Sequence, residues 1–341
     1  MHRSELTVDL GALRRNVRTL LRALAGAQLW AVVKADAYGH GAVDAAGAAL
    51  GAGAHALCVA TLPEATELRL EFPTARILCM GPVSASRELA EARDARIELA
   101  VSGDEIPQGV RVHLKVDTGM GRYGLTEVLQ PTREVVGLMS HLATADSNAA
   151  FAQQQIQRFA ELARPFRDTL ICHLANSAAA LRIPDAHFDA ARCGVALYGL
   201  SPFQDDPSVD GLEPVLRWGS HLAQVKQLQP GESTGYGQRF VAQNPTWIGL
   251  VPVGYADGFR RDLTGTEVRV GGELRKVVGT ISMDSFAVEL DRELPIGTPV
   301  TLLGHGVLAE THANVAGTIN YELVSRITSD PRRTRRSVVD A

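Results

Sequence analysis

Apolar positions follow two different patterns along the first part of the chain. Apolar residues recur every three or four positions from Leu10 to Leu24, which predicts an amphipathic helix with Asp9 as its N-cap. The next apolar run, Leu29–Val33, is short and continuous and ends at Lys34, which is typical of a buried strand. Further apolar runs predict seven more strands: Ala56–Ala60, Arg76–Met80, Ile97–Val101, Val110–Val116, Val136–His141, Leu170–Leu174 and Phe188–Cys193.

Helical patterns separate most of these strands: Ala42–Ala54, Pro63–Phe72, Ser84–Ala95, Ala149–Arg164 and Asn176–Arg182. The fourth connection, SGDEIPQG, is too short for a crossover helix, since parallel strands need about a dozen residues between them. In the fifth, Leu125–Val135 allows only a short helix broken by Pro131. Eight strands alternating with helices predict an α/β TIM barrel with trimmed fourth and fifth crossovers, and a doubly wound sheet is the alternative.

The pattern changes after Gly199–Glu213, a segment rich in proline, aspartate and glycine that predicts a linker. Short strands with turns follow, and Gly271-Gly272 is typical of a hairpin. We therefore expect a barrel domain over residues 1–213 and a mostly β domain over residues 214–341. The predicted strands of the second domain are Leu222–Leu228, Thr246–Val253, Glu267–Val270, Leu274–Val278, Phe286–Leu290 and Pro299–Leu303.

Composition narrows the class of protein. The chain has 341 residues, is 45% hydrophobic and 21% charged, and carries a net charge of −4, which gives no reason to expect a nucleic-acid partner. Its one dense basic run, at residues 332–336, is expected to be a solvated tail. No apolar run is long enough to predict a membrane span, and the N-terminus has no secretory signal pattern, so we expect a cytoplasmic protein. Four widely spaced cysteines predict free thiols and no metal site.

Reactive side chains follow the predicted strands at the end where TIM barrels hold their active sites. Basic side chains beside glycine-rich turns suggest an anionic ligand, and an amine suggests a ligand with a carbonyl. Taken alone, the position of Lys34 favours a lysine that reaches solvent from a strand end. The pattern Gly119-x-Gly121-x-x-Gly124 is weak support for a dinucleotide, because the following helix is short. The strand-end residues are Lys34, Tyr38, Lys115, Asp117, Arg122, Ser140, His141, Asp146, His173, Asn176, Ser177, Arg192 and Gly194.

Eight segments, in order along nearly the whole chain, resemble the alanine racemases, which use pyridoxal 5′-phosphate. The resemblance implies a TIM barrel that binds the cofactor, followed by a β domain. Departures from the family pattern are RCGV after the eighth strand, the trimmed crossovers, SMD in place of CMD, and the C-terminal ITSDPRRTRRSV. The segments are VVKADAYGHG (32–41), HLKVDTGMGRYG (113–124), SHLATAD (140–146), HLANSAA (173–179), GYG (235–237), GYADG (254–258), MDS (283–285) and GTINYEL (317–323).

The resemblance implies a role for particular residues toward the cofactor. Lys34 would form the Schiff base, and Arg192 would face the pyridine nitrogen and leave it unprotonated. His141 would lie beside the cofactor and help Arg192 to activate the second base. The phosphate would be held by Tyr38, Ser177, Tyr321 and the backbone N–H groups of Gly194 and Val195.

The resemblance also implies two bases, because one base cannot reach both faces of a substrate carbon without moving. Lys34 would serve D-alanine, and Tyr236 would serve L-alanine from the partner subunit of a homodimer. Arg122, Met283 and Asp284 would bind or border the substrate, and Tyr255 and Tyr321 would narrow the entrance. Lys115 is either an ordinary strand-end lysine or carbamylated as in the family.

The expected function is therefore an amino-acid racemase that interconverts L-alanine and D-alanine and so supplies D-alanine for peptidoglycan precursors. One alternative is an enzyme of the same fold with another substrate, such as a serine or broad-specificity racemase or an amino-acid decarboxylase. A third possibility is a pyridoxal-phosphate carrier without catalysis. Such carriers consist of a single barrel, and the β domain with Tyr236 speaks against this interpretation.

Overall fold

The computed structural model describes residues 2–341, which form two compact units. The barrel unit comprises Leu13–Phe203 and Asp210–Glu213. The β unit comprises residues 2–12, Gln204–Val209 and Pro214–Ala341. Among residues 2–341, no helix combines the length and apolar character needed to span a membrane.

The barrel unit is a closed parallel barrel, as the sequence predicts. Its first strand pairs with both the second and the last, so the sheet closes on itself. The predicted barrel strands are all present, with ends that differ by a few residues. The N-terminal strand β1 (Glu5–Asp9) lies outside the barrel. The barrel strands are β2 (Gln28–Val32), β3 (Ala56–Val59), β4 (Ile77–Cys79), β5 (Glu98–Val101), β6 (Val112–Lys115), β7 (Val135–Met139), β8 (Ile171–His173) and β9 (Ala190–Cys193).

The connections of the barrel carry the predicted helices except in one place. The short helix expected within Leu125–Val135 is wrong: the segment is an extended loop. Its Leu125 N–H donates to the Lys115 carbonyl, and the Asp117 N–H donates to the Leu125 carbonyl, so these backbone groups are already used. Helices of this unit are Leu10–Leu24 (whose first turn lies in the β unit), Ala42–Gly51, Leu62–Glu71, Ser86–Asp94, Ala149–Ala163 and Ser177–Arg182.

The β unit is built on an open sheet of nine strands within the described residues. Gly271 and Gly272 form the predicted two-residue hairpin, both with positive φ. Helices Ala309–Ala316 and Asn320–Ser325 complete the unit. Its further strands are β10 (Leu216–His221), β11 (Gln224–Leu228), β12 (Ser233–Thr234), β13 (Phe240–Val241), β14 (Thr246–Val251), β15 (Glu267–Val270), β16 (Glu273–Val278), β17 (Phe286–Leu290), β18 (Pro299–Leu303) and β19 (Arg335–Val339).

Both chain termini enter this sheet, which the sequence did not predict. Strand β1 pairs antiparallel with β10 and parallel with β19, burying Leu6 and Val8. The first residues therefore belong to the β unit, whereas the sequence pattern grouped them with the barrel. The basic run is not the expected tail, because Arg335–Val339 forms a strand and Arg333 pairs with Asp257, but Arg332 and Arg335 are exposed to solvent as expected.

Candidate active site

The chain leaves β2 through an unusual turn that begins at Lys34. Residues Ala35 to Tyr38 have φ between 50° and 56°, which makes one left-handed helical turn. L-residues avoid this conformation, and such strain is concentrated at functional sites. The Ala35 N–H donates to Glu64 Oε1 at 2.7 Å, and the Ala42 N–H donates to Asp36 Oδ1 at 2.7 Å. These bonds hold the turn on either side, directly after the lysine.

Lys34 lines a cavity of about 250 Å³ in the barrel unit. Basic groups converge on it from three strand ends: Lys34 follows β2, Lys115 ends β6, and Arg192 lies in β9. None of the described residues that line the cavity is acidic, so its charge suits an anionic ligand. The lining residues are Lys34, Ala60, Met80, Gly81, Lys115, Arg122, Tyr123, Met139, His141 and Arg192.

Both lysines of this cavity lose their charge more readily than a free lysine. Burial lowers the pKa of Lys34, and the nearby Arg122 guanidinium lowers it further. Burial, with Arg122 and Arg192, lowers the pKa of Lys115 to about 8. A neutral amine is the nucleophilic form of lysine. The surroundings of Lys34 therefore support a reactive amine rather than a solvated lysine.

Arg192 is 4% exposed and tightly held by hydrogen bonds. One terminal nitrogen donates to the Ser140 carbonyl at 2.6 Å and lies 3.3 Å from His141 Nδ1. The other donates to His173, at 2.6 Å from Nδ1 and 3.0 Å from the carbonyl. Burial and the Arg192 charge lower the pKa of His141 to about 3, so the imidazole is neutral. Arg192 is thus a fixed cation beside a neutral histidine.

A second group of predicted residues meets where β8 and β9 end. The N–H groups of Gly194 and Ala196 donate to Ser177 Oγ at 3.0 and 3.4 Å. A Cβ at position 194 would lie 2.4 Å from Tyr38 Oη, so only glycine admits the tyrosine there. Burial raises the pKa of Tyr38, which keeps its hydroxyl protonated. Val195 is buried in the same turn. Hydroxyl and backbone N–H groups gathered in this way suit a phosphate.

The other predicted site residues belong to the β unit. Tyr236, Tyr255 and Met283 are 70%, 45% and 52% exposed, and they lie on three loops that are tied together. Thr280 Oγ1 donates to the Tyr236 carbonyl at 2.8 Å. The Tyr255 N–H donates to the Ser282 carbonyl at 3.1 Å, and the Ala256 N–H donates to the Met283 carbonyl at 3.0 Å. The linked loops present large side chains to solvent, a surface that normally binds another molecule.

Asp284 and Tyr321 complete this set. Asp284 Oδ1 is 2.6 Å from a terminal nitrogen of Arg333, so the carboxylate is already paired. Tyr321 is half-buried in helix Asn320–Ser325. Arg333 also pairs with the buried Asp257, which Arg3 binds from its other side. These ion pairs support the loop that carries Met283.

Sequence reasoning missed two buried polar residues behind Arg192, which lie beside the predicted His173. Glu98 begins β5, His113 lies in β6, and His173, one of the predicted strand-end residues, ends β8. All three are buried inside the barrel unit, where His113 is hydrogen-bonded to Glu98 on one side and to His173 on the other. The available signal was a charged residue, Glu98, within an apolar strand, since unpaired carboxylates are almost never fully buried.

Comparison with known proteins agrees with this architecture. Residues 8–202 match the model of the alanine racemase N-terminal domain, and residues 215–336 match that of the C-terminal domain. The chain is 41% identical to alanine racemase 1 of Bacillus subtilis, over 94% of this chain and 90% of that protein.

Two solved structures are similar over their full length. The alanine racemase of Streptomyces lavendulae gives a TM-score of 0.91 at 35% identity, covering 100% of this chain and 98% of that one. The biosynthetic alanine racemase of Pseudomonas aeruginosa gives 0.91 at 37% identity, covering 99% of each. Because the two domain models together span nearly the whole chain, the chain belongs to the alanine racemase family.

Proposed function

We propose that the protein interconverts L-alanine and D-alanine with pyridoxal 5′-phosphate as its cofactor. The observation that carries the proposal is the acid-free cavity in which Lys34, with its lowered pKa, faces Arg122 and Arg192. The substrate is that of the curated relatives, which are named alanine racemases. A serine or broad-specificity racemase remains the alternative, because both substrates are small amino acids.

The residues of the barrel unit fit this cofactor. Lys34 Nζ would be its point of attachment, and Arg192 would face the ring nitrogen. Tyr38, Ser177 and the N–H groups at Gly194 and Val195 would hold the phosphate, and Tyr321 of the β unit would contribute a further hydroxyl. When bound, pyridoxal phosphate supplies an electron sink that makes the substrate Cα–H acidic.

The two proton-transfer groups would be Lys34 Nζ and Tyr236 Oη. A neutral lysine amine can take a proton from one face of the substrate carbon, and a tyrosine hydroxyl can return one to the other face. His141 and Arg192 would help to activate Tyr236 as a base through a chain of hydrogen bonds. Arg122 would bind the substrate carboxylate, since a guanidinium pairs with a carboxylate in a fixed geometry. Met283 and Asp284 would border the substrate, and Tyr255 and Tyr321 would narrow the entrance.

We further propose a homodimer in which Tyr236 reaches the site of the partner subunit. The exposed surface formed by Tyr236, Tyr255 and Met283 supports this, because large side chains at 45–70% exposure are usually covered in an assembly. Four buried free cysteines support a cytoplasmic location, where thiols stay reduced. D-alanine made there would serve peptidoglycan precursors.

The proposal is tested by incubating the cofactor-loaded protein with L-alanine in D₂O. We expect D-alanine to form with deuterium at Cα. Chiral chromatography measures the D-alanine, and mass spectrometry measures its deuterium. Lys34→Ala is the control and should neither exchange nor racemise. A panel with L-serine decides between the two substrate classes. If the loaded protein exchanges no Cα proton of alanine or serine, the proposed function is wrong.

A further inference from the structure

A line of buried hydrogen bonds, which we call the histidine chain, crosses the barrel interior from Glu98 to Arg192. Glu98 Oε2 is 2.9 Å from His113 Nε2. His113 Nδ1 is 2.9 Å from His173 Nε2, and His173 Nδ1 is 2.6 Å from an Arg192 nitrogen. Every member is at most 5% exposed, counting the side chain of Glu98. Trp30 packs on both imidazoles, with ring centroids 5.4 and 4.6 Å away.

The protons of the histidine chain have only one consistent arrangement. A guanidinium has no acceptor, so His173 Nδ1 must accept and its Nε2 must carry the proton. His173 then donates to His113 Nδ1, and His113 Nε2–H donates to the Glu98 carboxylate. A reversed chain would aim a His173 N–H at the N–H groups of Arg192. All donors therefore point from Arg192 toward Glu98.

The charge state of each member agrees with this order. Burial lowers the pKa of both His113 and His173, so both imidazoles are neutral. Burial opposes ionisation of Glu98, but hydrogen bonds from His113 and Arg76 outweigh it and lower the pKa of Glu98 to about 2. Arg76 donates to the same carboxylate at 2.7 Å. Glu98 is thus a permanent acceptor at the far end of the chain.

We propose that Glu98 is a positioning residue for the reaction: through His113 and His173 it fixes the hydrogen-bond direction that orients Arg192. This inference rests on the proposed function, in which Arg192 faces the cofactor. Without an acceptor at position 98, the His113 Nε2–H would be buried and unpaired, which favours the other tautomer. His173 would then have to change its tautomer as well, so its Nδ1 would carry a proton and could no longer accept a hydrogen bond from Arg192.

The test compares Glu98→Leu, which removes the acceptor, with Glu98→Gln, which keeps a carbonyl oxygen there. We expect kcat for L-alanine to fall on the order of 10-fold in Glu98→Leu with little change in KM, because orientation rather than binding is lost. Glu98→Gln should stay near the wild type. Arg111→Gln is the matched control: Arg111 contacts Glu98 Oε1 at 3.3 Å from outside the chain, so it should have no effect.

Nitrogen-15 NMR of labelled histidines gives a readout that does not depend on turnover. In the wild-type protein, His113 and His173 should both be neutral with the proton on Nε2, and Glu98→Leu should shift His113 toward the Nδ1–H form. Retained cofactor absorbance shows that the variant folds. A wild-type His173 protonated on Nδ1 would overturn the proposal even if Glu98→Leu does not fold. If the wild type racemises nothing yet shows these tautomers, only the proposed function fails.

Discussion

At the scale of single residues, Gly137 in β7 makes room for the histidine chain. A Cβ at this position would lie 2.0 Å from His113 Nδ1 and 2.9 Å from the Ile171 carbonyl oxygen. No side chain can be accommodated there unless the imidazole moves. The glycine is thus required by a neighbour in space that is 24 positions away in sequence, because position 137 faces position 113 across the β6–β7 pair.

We expect Gly137→Ala to lower the free energy of unfolding by about 1–3 kcal/mol, the usual cost of adding a methyl group to a packed core. Gly51→Ala is the control, since nothing lies within 4 Å of a Cβ there and the position ends helix Ala42–Gly51. That change should be neutral or slightly stabilising. Urea denaturation followed by circular dichroism measures both, and equal stabilities for the two variants would contradict the steric argument.

At the scale of elements, the turn after Lys34 is the least regular part of the barrel unit. Each non-glycine residue in a left-handed helical turn costs about 1–2 kcal/mol. Both Ala35 and Ala37 are strained in this way, but the Ala35 methyl group is exposed, whereas the Ala37 side chain is fully buried. The strain at Ala35 can therefore be removed without losing packing, and the strain at Ala37 cannot.

We expect Ala35→Gly to raise the free energy of unfolding by about 0.5–1 kcal/mol, because glycine adopts positive φ without strain but loses more backbone entropy. The matched control is Ala150→Gly, an exposed alanine in the right-handed helix Ala149–Ala163, which should be destabilised by up to about 1 kcal/mol. Chemical denaturation compares the two. Destabilisation of both variants would mean that the left-handed turn carries no strain at Ala35.

The sequence predicts regular elements well and their exceptions poorly. The barrel strands and the Gly271-Gly272 hairpin follow from local patterns, since apolar runs and turn residues act over a few positions. Strand β1 was missed because its partner β19 lies more than 300 residues away. The helix expected within Leu125–Val135 failed because the backbone bonds that join Leu125 to Lys115 and Asp117 override propensity.

The candidate site was predictable to the same extent. Lys34, Arg122, His141 and Arg192 line one cavity because strand ends of a barrel meet at one face. The link between Glu98 and Arg192 depends on side chains that meet inside the barrel, and no local pattern encodes it. Left-handed φ values at Ala35 were equally hidden, since alanine gives no signal for them.

At the scale of the whole molecule, the proposed dimer would complete each site with Tyr236 of the partner subunit. Tyr236 is 70% exposed at the tip of a short hairpin, and Gly235 beside it has φ 78°. A Cβ at Gly235 would lie 2.9 Å from the Thr280 backbone nitrogen, so the hairpin is packed against its neighbour. The tyrosine is therefore an exposed side chain on a firmly held loop.

Dimers with one Lys34→Ala subunit and one Tyr236→Phe subunit test whether the site is shared. Either variant alone should be nearly inactive. In a purified heterodimer with two affinity tags, one site would lack both bases and the other would have both, so about half of the wild-type activity should return. If Tyr236 acted within its own subunit, every site would lack one base and no activity would return. A heterodimer of Lys34→Ala with a chain carrying both substitutions is the control and should stay inactive in either case.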